Sequence, residues 1–456
     1  MTQQNAQQRV HRLGLLGVLF LAILFAFIVV HQLRQQRPAP PQITLPKEPA
    51  TLMLLFTANR QGKLEVCGCP GKRAEDLARV AALLRSTVDQ ARRQGTPVAL
   101  IEGGDFVGEP DGLSYLLQAY QVMGYRLVAL SPRDAKRVQQ IRVHAGKMAL
   151  LPPHQNHAPL PHQKLPLGDW TVIVVNLGAP PSVGDEKFWQ AVTTQLKRWR
   201  RPHTVIVAIA YTDRNAAEAL AQRLNGVVDS LLIDDALPNP NGARMVEDGN
   251  LPAGRFVGKV LLASLPQSRA QVLSLMIWAK GKEPSPTKVE AMTLSAFGQS
   301  PEPQVKAIVD AYYTMRQKKL EREMQKLLTV AQKRDYVSPE FCGSCHQAQY
   351  DQWLTTKHAK AIETLKKANR MDKQCLTCHS LEFKMRGVVT RVEKRGVECV
   401  DCHTELADPA TARLHGQRPG ERPSTQTVTE QICVRCHDAA NSPNFNYSTY
   451  LPKVTH

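Results

Sequence analysis

The sequence predicts a layered α/β sandwich followed by a mainly α-helical domain, with both behind an N-terminal transmembrane helix. Three observations carry this expectation. Residues 50–300 alternate β-rich and helical runs, residues 336–456 hold eight of the ten cysteines in a repeated five-residue pattern, and residues 13–30 contain no charge. At 456 residues the chain is too long for one ordinary core, so two globular domains joined by connecting segments are expected.

In chain order, residues 1–12 are polar and basic, with Arg9, His11 and Arg12, and the uncharged run at 13–30 is long enough to span a bilayer as a helix. A cleavable signal peptide has a shorter apolar core and a small-x-small site after it. Here His31-Gln-Leu-Arg34-Gln-Gln-Arg37 follows, so 1–37 reads as an uncleaved signal anchor. Basic residues flank both ends and orient it only weakly. Residues 38–49, with Pro38, Pro40, Pro41 and Pro46, read as a stiff extended spacer.

Within 50–300, strands are expected at 51–57, 97–102, 127–130, 171–176, 204–210, 230–233, 257–263 and 271–279, with helices at 74–94, 112–123, 185–200 and 214–224. Strands alternating with helices argue for layers around a largely buried sheet. Ligands of such folds sit in the loops beyond the carboxyl ends of the strands. Pro301 and Pro303 close this domain. Residues 304–334 then run without Gly or Pro through Val305, Ile308, Tyr312, Met315, Leu320, Met324, Leu327 and Ala331, the spacing of an amphipathic helix. This linker, 301–335, packs one stripe on a neighbour and exposes Lys318, Lys319, Arg322 and Lys326, a basic face that is also suited to docking a redox partner.

The repeated pattern in 336–456 is Cys342-Gly-Ser-Cys345-His346, Cys375-Leu-Thr-Cys378-His379, Cys399-Val-Asp-Cys402-His403 and Cys433-Val-Arg-Cys436-His437. Cys-x-x-Cys-His is the signature of c-type haem attachment: two thiols add to the porphyrin vinyl groups and the adjacent His becomes the proximal iron ligand. Zinc knuckles also pair cysteines in this way, but zinc has no need of a His after every pair. Four covalently attached haems c are therefore expected, with His346, His379, His403 and His437 as proximal ligands. About 30 residues per cofactor is too few for an ordinary protein core, so the macrocycles make up most of the interior. Candidate distal ligands are His358, His415 and His456, three for four irons, unless Met371, Met385 or a His of the first domain supplies a fourth.

Net charge is +18, distributed unevenly. Residues 335–456 carry 16 Lys and Arg against 14 Asp and Glu, so the excess lies ahead of them. This disfavours nucleic acid as a partner and makes the first domain a counter-surface for an acidic protein, for phospholipid or for the haem segment, or simply a solvated surface. Haem c assembly requires reduced thiols in the compartment where haem is ligated, which in a bacterium is the periplasm. The expected location is the inner membrane with the bulk of the chain periplasmic, and the expected partners are periplasmic or membrane redox proteins. Cys67 and Cys69 stand apart, either a soft metal or redox pair, or a strained local disulfide or two unreactive thiols in a Gly-Pro turn. His154, His157 and His162 fall in a Pro-rich stretch read as an exposed loop.

Two resemblances add to this. The segment with Cys342-Gly-Ser-Cys-His-Gln-Ala-Gln-Tyr350-Asp-Gln-Trp353, Lys357-His358-Ala359, Gly396-Val-Glu-Cys-Val-Asp-Cys-His403 and Cys436-His437-Asp438 resembles the tetrahaem cytochrome c-554 family. That resemblance implies electron transfer, His358 and His415 as distal ligands, and a five-coordinate second haem held by His379 alone. The run from Leu54 to Glu65, the helix with Leu77-Ala78-Arg79, and Leu100-Ile-Glu-Gly-Gly-Asp105 resemble the opening of the calcineurin-like metallophosphoesterases, nearest the 5′-nucleotidases. Of that family's two-metal ligand set Asp105 matches, but Asn59-Arg60-Gln61 replaces its Asp-x-His and Ser131-Pro-Arg133-Asp134 its Asn-His. The resemblance thus implies a phosphoesterase-like scaffold without the enzyme, and no catalytic residue is assigned. The expected function is electron transfer by a membrane-anchored tetrahaem cytochrome. The alternatives are oxidation or reduction of a small nitrogen or sulfur compound at an open haem, and a residual phosphoesterase regulated by the haems.

Overall fold

The structure, a computed structural model, describes residues 45–65, 75–139, 146, 148–155, 159–234, 254–282, 286–331, 336–409, 411–413, 428–438, 441–442 and 444–456. The uncharged run at 13–30, most of the proline spacer, Cys67, Cys69, His157 and His415 lie outside the described residues. Among those described, no helix is long and apolar enough to cross a membrane.

The N-terminal part is a mixed α/β structure. Its elements are β1 (Leu52–Thr57), α1 (Leu77–Arg93), β2 (Val98–Glu102), α2 (Pro110–Met123), β3 (Tyr125–Ala129), α3 (Pro132–Gln139) and β4 (Ala149–Leu151), then β5 (His162–Leu167), β6 (Trp170–Asn176), α4 (Glu186–Trp199), β7 (Thr204–Tyr211), α5 (Arg214–Arg223) and β8 (Ser230–Asp234). β9 (Arg255–Val257), β10 (Val260–Ser264), β11 (Gln271–Trp278) and β12 (Lys288–Ser295) complete it. Two six-stranded sheets result, ordered β12-β11-β1-β2-β3-β4 and β5-β6-β7-β8-β10-β9. Strands β1 to β4 are mutually parallel, and β11 turns back antiparallel against β1.

Strand alternation explains the layering. One face of β1 (Leu52, Leu54, Phe56) and of β11 (Leu273, Leu275, Ile277) meets one face of β7 (Val205, Val207, Ile209) in a core between the sheets. The other face of the second sheet, with Ile173, Val175, Ile206 and Ala208, packs on Trp189, Val192 and Leu196 of α4 and Leu220 of α5. Being covered on both faces, these strands read as continuous apolar runs. Asn176 ties the sheets together, its amide donating to the carbonyls of Leu130 (2.9 Å) and Leu151 (3.0 Å).

For the strands, the sequence expectation differs from the structure at three points. There are two sheets rather than one. The strand expected at 257–263 is a hairpin, because Gly258 at φ +62° turns the chain between β9 and β10. The unanticipated strands β4, β5 and β12 all lie at sheet edges, where one-sided burial breaks the apolar run. His162 accordingly sits on β5, not in a loop.

Helix α6 (Pro303–Ala331) spans 29 residues. The Glu302 carboxylate accepts from the Val305 N–H at 2.8 Å and caps its start. Val305, Val309, Tyr312 and Leu320 are buried, and the helix packs against α1 and α2. The C-terminal region is helical but in short pieces: α7 (Pro339–Gly343), α8 (Gln347–Thr355), α9 (Ala361–Lys367), α10 (Lys373–His379), α11 (Leu381–Arg386), α12 (Cys399–Cys402), α13 (Glu430–Cys433) and α14 (Tyr447–Tyr450). Its apolar clusters are small. One joins Leu320, Leu365, Leu376 and Phe383, and the other Val337, Leu381, Val400 and Ala412.

Candidate functional site

Each Cys-x-x-Cys-His motif is built on a single helical turn. The backbone N–H of His346 donates to the Cys342 carbonyl, that of His403 to Cys399 and that of His437 to Cys433, each at 2.9 Å. The second motif lies wholly within α10, whose start is capped by Asp372 accepting from the Gln374 N–H at 2.9 Å. One turn brings two thiols and an imidazole together, and all eight motif cysteines are free of disulfides.

The turns are associated in pairs across the chain. Cys342 and Cys399 are hydrogen-bonded through their side chains, as are Cys378 and Cys436, so the first motif abuts the third and the second abuts the fourth. Within the first pair, the hydrogen bond lowers the Cys342 thiol pKa and raises that of Cys399. Burial, with Asp401 next in weight, pushes Cys402 up to about 11.

The imidazoles are paired as well. His358 and His437 have ring centroids 6.2 Å apart, and His403 and His456 are 6.0 Å apart. An imidazole nitrogen binds a metal at about 2 Å, so two rings on opposite sides of one iron have centroids about 6 Å apart. Burial lowers the pKa of His358, His437 and His456, favouring the neutral ring that a metal requires. His379 directs Nδ1 to the Ala361 carbonyl at 3.0 Å, which leaves Nε2 as its ligating atom. Phe445 stacks on His437 at 4.8 Å and 15°.

Local sequence explains how His358 reaches this place. The chain ahead of the third motif passes directly over the turn carrying His358, with the Val397 N–H donating to the His358 carbonyl at 3.1 Å. A side chain at Gly396 would collide with that carbonyl and meet Ala361 Cβ at 2.9 Å, so this crossing requires glycine. Trp353 fixes the same crossing by donating from its indole to the Val397 carbonyl at 2.9 Å.

Haem c fits these residues. Paired thiols with a following imidazole recur four times, two imidazole pairs have the spacing for an iron, and exposed Phe341 and Val434 lie beside or within motifs as apolar surface for a macrocycle. Met371 and Cys375 both pack against the cluster of Leu320, Leu365, Leu376 and Phe383.

In the α/β part, the strand ends at which the resembled phosphoesterases carry metal ligands are occupied by other bonds. Asn59 donates to the Pro266 carbonyl at 2.8 Å, and the Asp134 carboxylate accepts from the N–H groups of Asp105, Val107 and Ser131. Asp105 accepts from Ser131 Oγ at 3.3 Å and faces Arg133 at 3.5 Å. Arg60 is buried, and its guanidinium donates to the carbonyls of Glu75 and Arg269. Among the described residues, no three of His, Cys, Asp and Glu are grouped to hold a metal ion. His154 packs on Phe188 and His162 on Trp199. A buried cluster that sequence reading missed, Thr57, Glu102, Tyr120 and Tyr125, lies at the bases of these loops. No motif announces it, because its members come from separate elements.

A helical segment with thiol pairs each followed by histidine carries the motif by which c-type cytochromes bind haem covalently. In agreement, residues 341–404 match the family described as cytochrome c554 and c-prime. The segment is also similar to cytochrome c-554 of Nitrosomonas europaea, 35% identical over 82 residues that take in 14% of this chain and 35% of that protein. The chain thus spans about a third of the length of the curated relative it matches. Solved structures similar to the chain include the sulfate thiohydrolase SoxB of Thermus thermophilus (13% identity, TM-score 0.45, 60% of this chain and 62% of that one). The calcineurin-like phosphoesterase YfkN of Bacillus subtilis (13%, 0.40, 58% and 97%) and a 5′-nucleotidase precursor, also of Thermus thermophilus (13%, 0.41, 63% and 61%), are similar too.

Proposed function

We propose that this protein is a membrane-anchored periplasmic tetrahaem cytochrome that passes electrons between redox partners, with a phosphoesterase-like α/β domain that has lost its metal chemistry. The observation that carries the reading is the pairing of His358 with His437 and of His403 with His456 at 6.2 and 6.0 Å, each joining a motif histidine to one outside the motifs. Cys342, Cys345, Cys375, Cys378, Cys399, Cys402, Cys433 and Cys436 hold four haems, and His346, His379, His403 and His437 are their proximal ligands. Haem supplies one-electron redox chemistry, and bis-imidazole ligation suits low-potential transfer. The abutting motifs, first with third and second with fourth, support close haem pairs and short electron steps. The run at 13–30 supplies the anchor, and the partners are periplasmic or membrane redox proteins.

A second reading is carried by the histidine count: His358, His415 and His456 are three distal candidates for four motifs. One haem, at His379 by the family analogy, then has an open iron for a small nitrogen or sulfur compound. Haem content by mass and low-temperature EPR of the oxidised protein test both readings together. Four haems are expected, with low-spin signals for the haems at His403 and His437. A high-spin ferric signal that responds to nitric oxide supports the second reading, and a chain without covalent haem refutes both.

A further inference from the structure

Helix α10, which carries Cys375, Cys378 and His379, is gripped from the α/β side by two guanidinium clamps that no motif predicts. Arg370, five positions before Cys375, donates to the Glu65 carboxylate at 2.6 and 2.8 Å and to Asp310 at 2.8 Å. Its guanidinium lies 4.3 Å over the Tyr313 ring. Glu65 belongs to the loop after β1, and Asp310 and Tyr313 to α6. The second clamp is Arg316 of α6, bound to Asp372, the residue that caps α10, and to the Tyr312 hydroxyl at 2.7 Å. Tyr312 in turn rests on Tyr115 of α2, with ring centroids 5.5 Å apart. Cys375 itself packs against the cluster that includes Leu320 of α6.

These charges are poorly hydrated: the side chains of Arg370, Arg316 and Asp372 are only 13, 17 and 6% exposed. Solvent and salt screen them weakly, so each is felt strongly by any charge that changes a few residues away. A haem gains or loses a unit charge with each electron, and its potential follows the charge around it. A purely structural contact would be served as well by apolar packing, since buried ion pairs carry a desolvation cost.

We propose that Glu65 and α6 set the reduction potential of the haem attached at Cys375 and Cys378, with Arg370 and Arg316 as positioning residues whose charge balance with Glu65, Asp310 and Asp372 tunes it. This rests on the haem reading above, and it gives the α/β domain a role that needs no metal of its own. The test is potentiometric titration of the full-length holoprotein, with haem content of every variant checked by mass. The component in question is the one missing from Cys375→Ser/Cys378→Ser. Arg370→Met, which leaves Glu65 uncompensated while Asp310 keeps its pair with Lys306, shifts that component to lower potential. Glu65→Gln, which leaves Arg370 and Lys306 sharing Asp310 alone, shifts it higher, and Arg370→Lys leaves it near the original value. The other components stay in place. Should Arg370→Met not accumulate, Asp310→Asn, whose side chain is 40% exposed, is expected to reproduce the upward shift. Shifts of one sign in both Arg370→Met and Glu65→Gln, or none in either, overturn the inference. A native protein with fewer than four haems refutes the underlying reading instead.

Discussion

Glu102 lies fully buried at the end of β2, where Thr57 Oγ1 (2.6 Å) and the Tyr120 hydroxyl (2.8 Å) both donate to its Oε2 while Oε1 has no partner among the described residues. Burial pushes this carboxyl up from 4.5 to about 7, outweighing the two hydrogen bonds. Between those pH values the folded chain binds a proton that the unfolded chain has released, so this group's contribution to stability is fully present below pH 4.5 and is lost as pH rises towards 7. The slope approaches about 1.4 kcal/mol per pH unit. Denaturant unfolding at about pH 5, 6 and 7 is expected to show this decline, and Glu102→Gln to flatten it. At the same scale, His456→Ala removes the ring opposite His403. EPR is expected to show loss of one low-spin signal and gain of a high-spin one, with haem content unchanged. An unaltered low-spin set would place the sixth ligand of the third haem elsewhere.

At the scale of elements, the crossing of residues 396 and 397 over the turn at His358 is the piece of backbone on which the His358 and His437 pairing depends. Gly396→Ala pushes a methyl group into the His358 carbonyl. The expected result is destabilisation of about 1–3 kcal/mol, read as a lower Tm, with a disturbed spectrum for the haem of the fourth motif. The elements differ in how legible they are in the sequence. Strands β1, β2, β6, β7, β8 and β11, buried on both faces, stand out as apolar runs, whereas β4, β5 and β12 are edge strands whose period is interrupted. The four motif turns are legible because covalent chemistry dictates their spacing. The partners of those motifs are not: nothing in the local sequence around His358 or His456 says which motif histidine each will face. The clamps at Arg370 and Arg316 are hidden for the same reason, since Glu65 and Arg370 lie 305 positions apart.

Across the whole molecule the two parts have unequal claims to stability. The sheets enclose two large apolar cores, while residues 336–456 share two small ones. Replacing all eight motif cysteines by serine is therefore expected to leave the α/β part resistant to limited proteolysis and the C-terminal part readily degraded. Fragment masses on a time course check this, and equal survival of both parts would show that the C-terminal region folds on protein contacts alone. In the same preparation, the phosphoesterase-like scaffold is expected to hold no stoichiometric manganese or zinc and to release no phosphate from nucleotides.

The bond between Glu65 and Arg370 also bears on maturation. Synthesis proceeds from the N-terminus, and domains fold as units in that order. Glu65 and α6 thus precede Cys375 in the order of folding, and the α/β domain can serve as a jig on which the helix carrying Cys375 is seated. The first motif, by contrast, must wait for the third to be made before its neighbour exists. Assembly at the four motifs then need not follow their order along the chain.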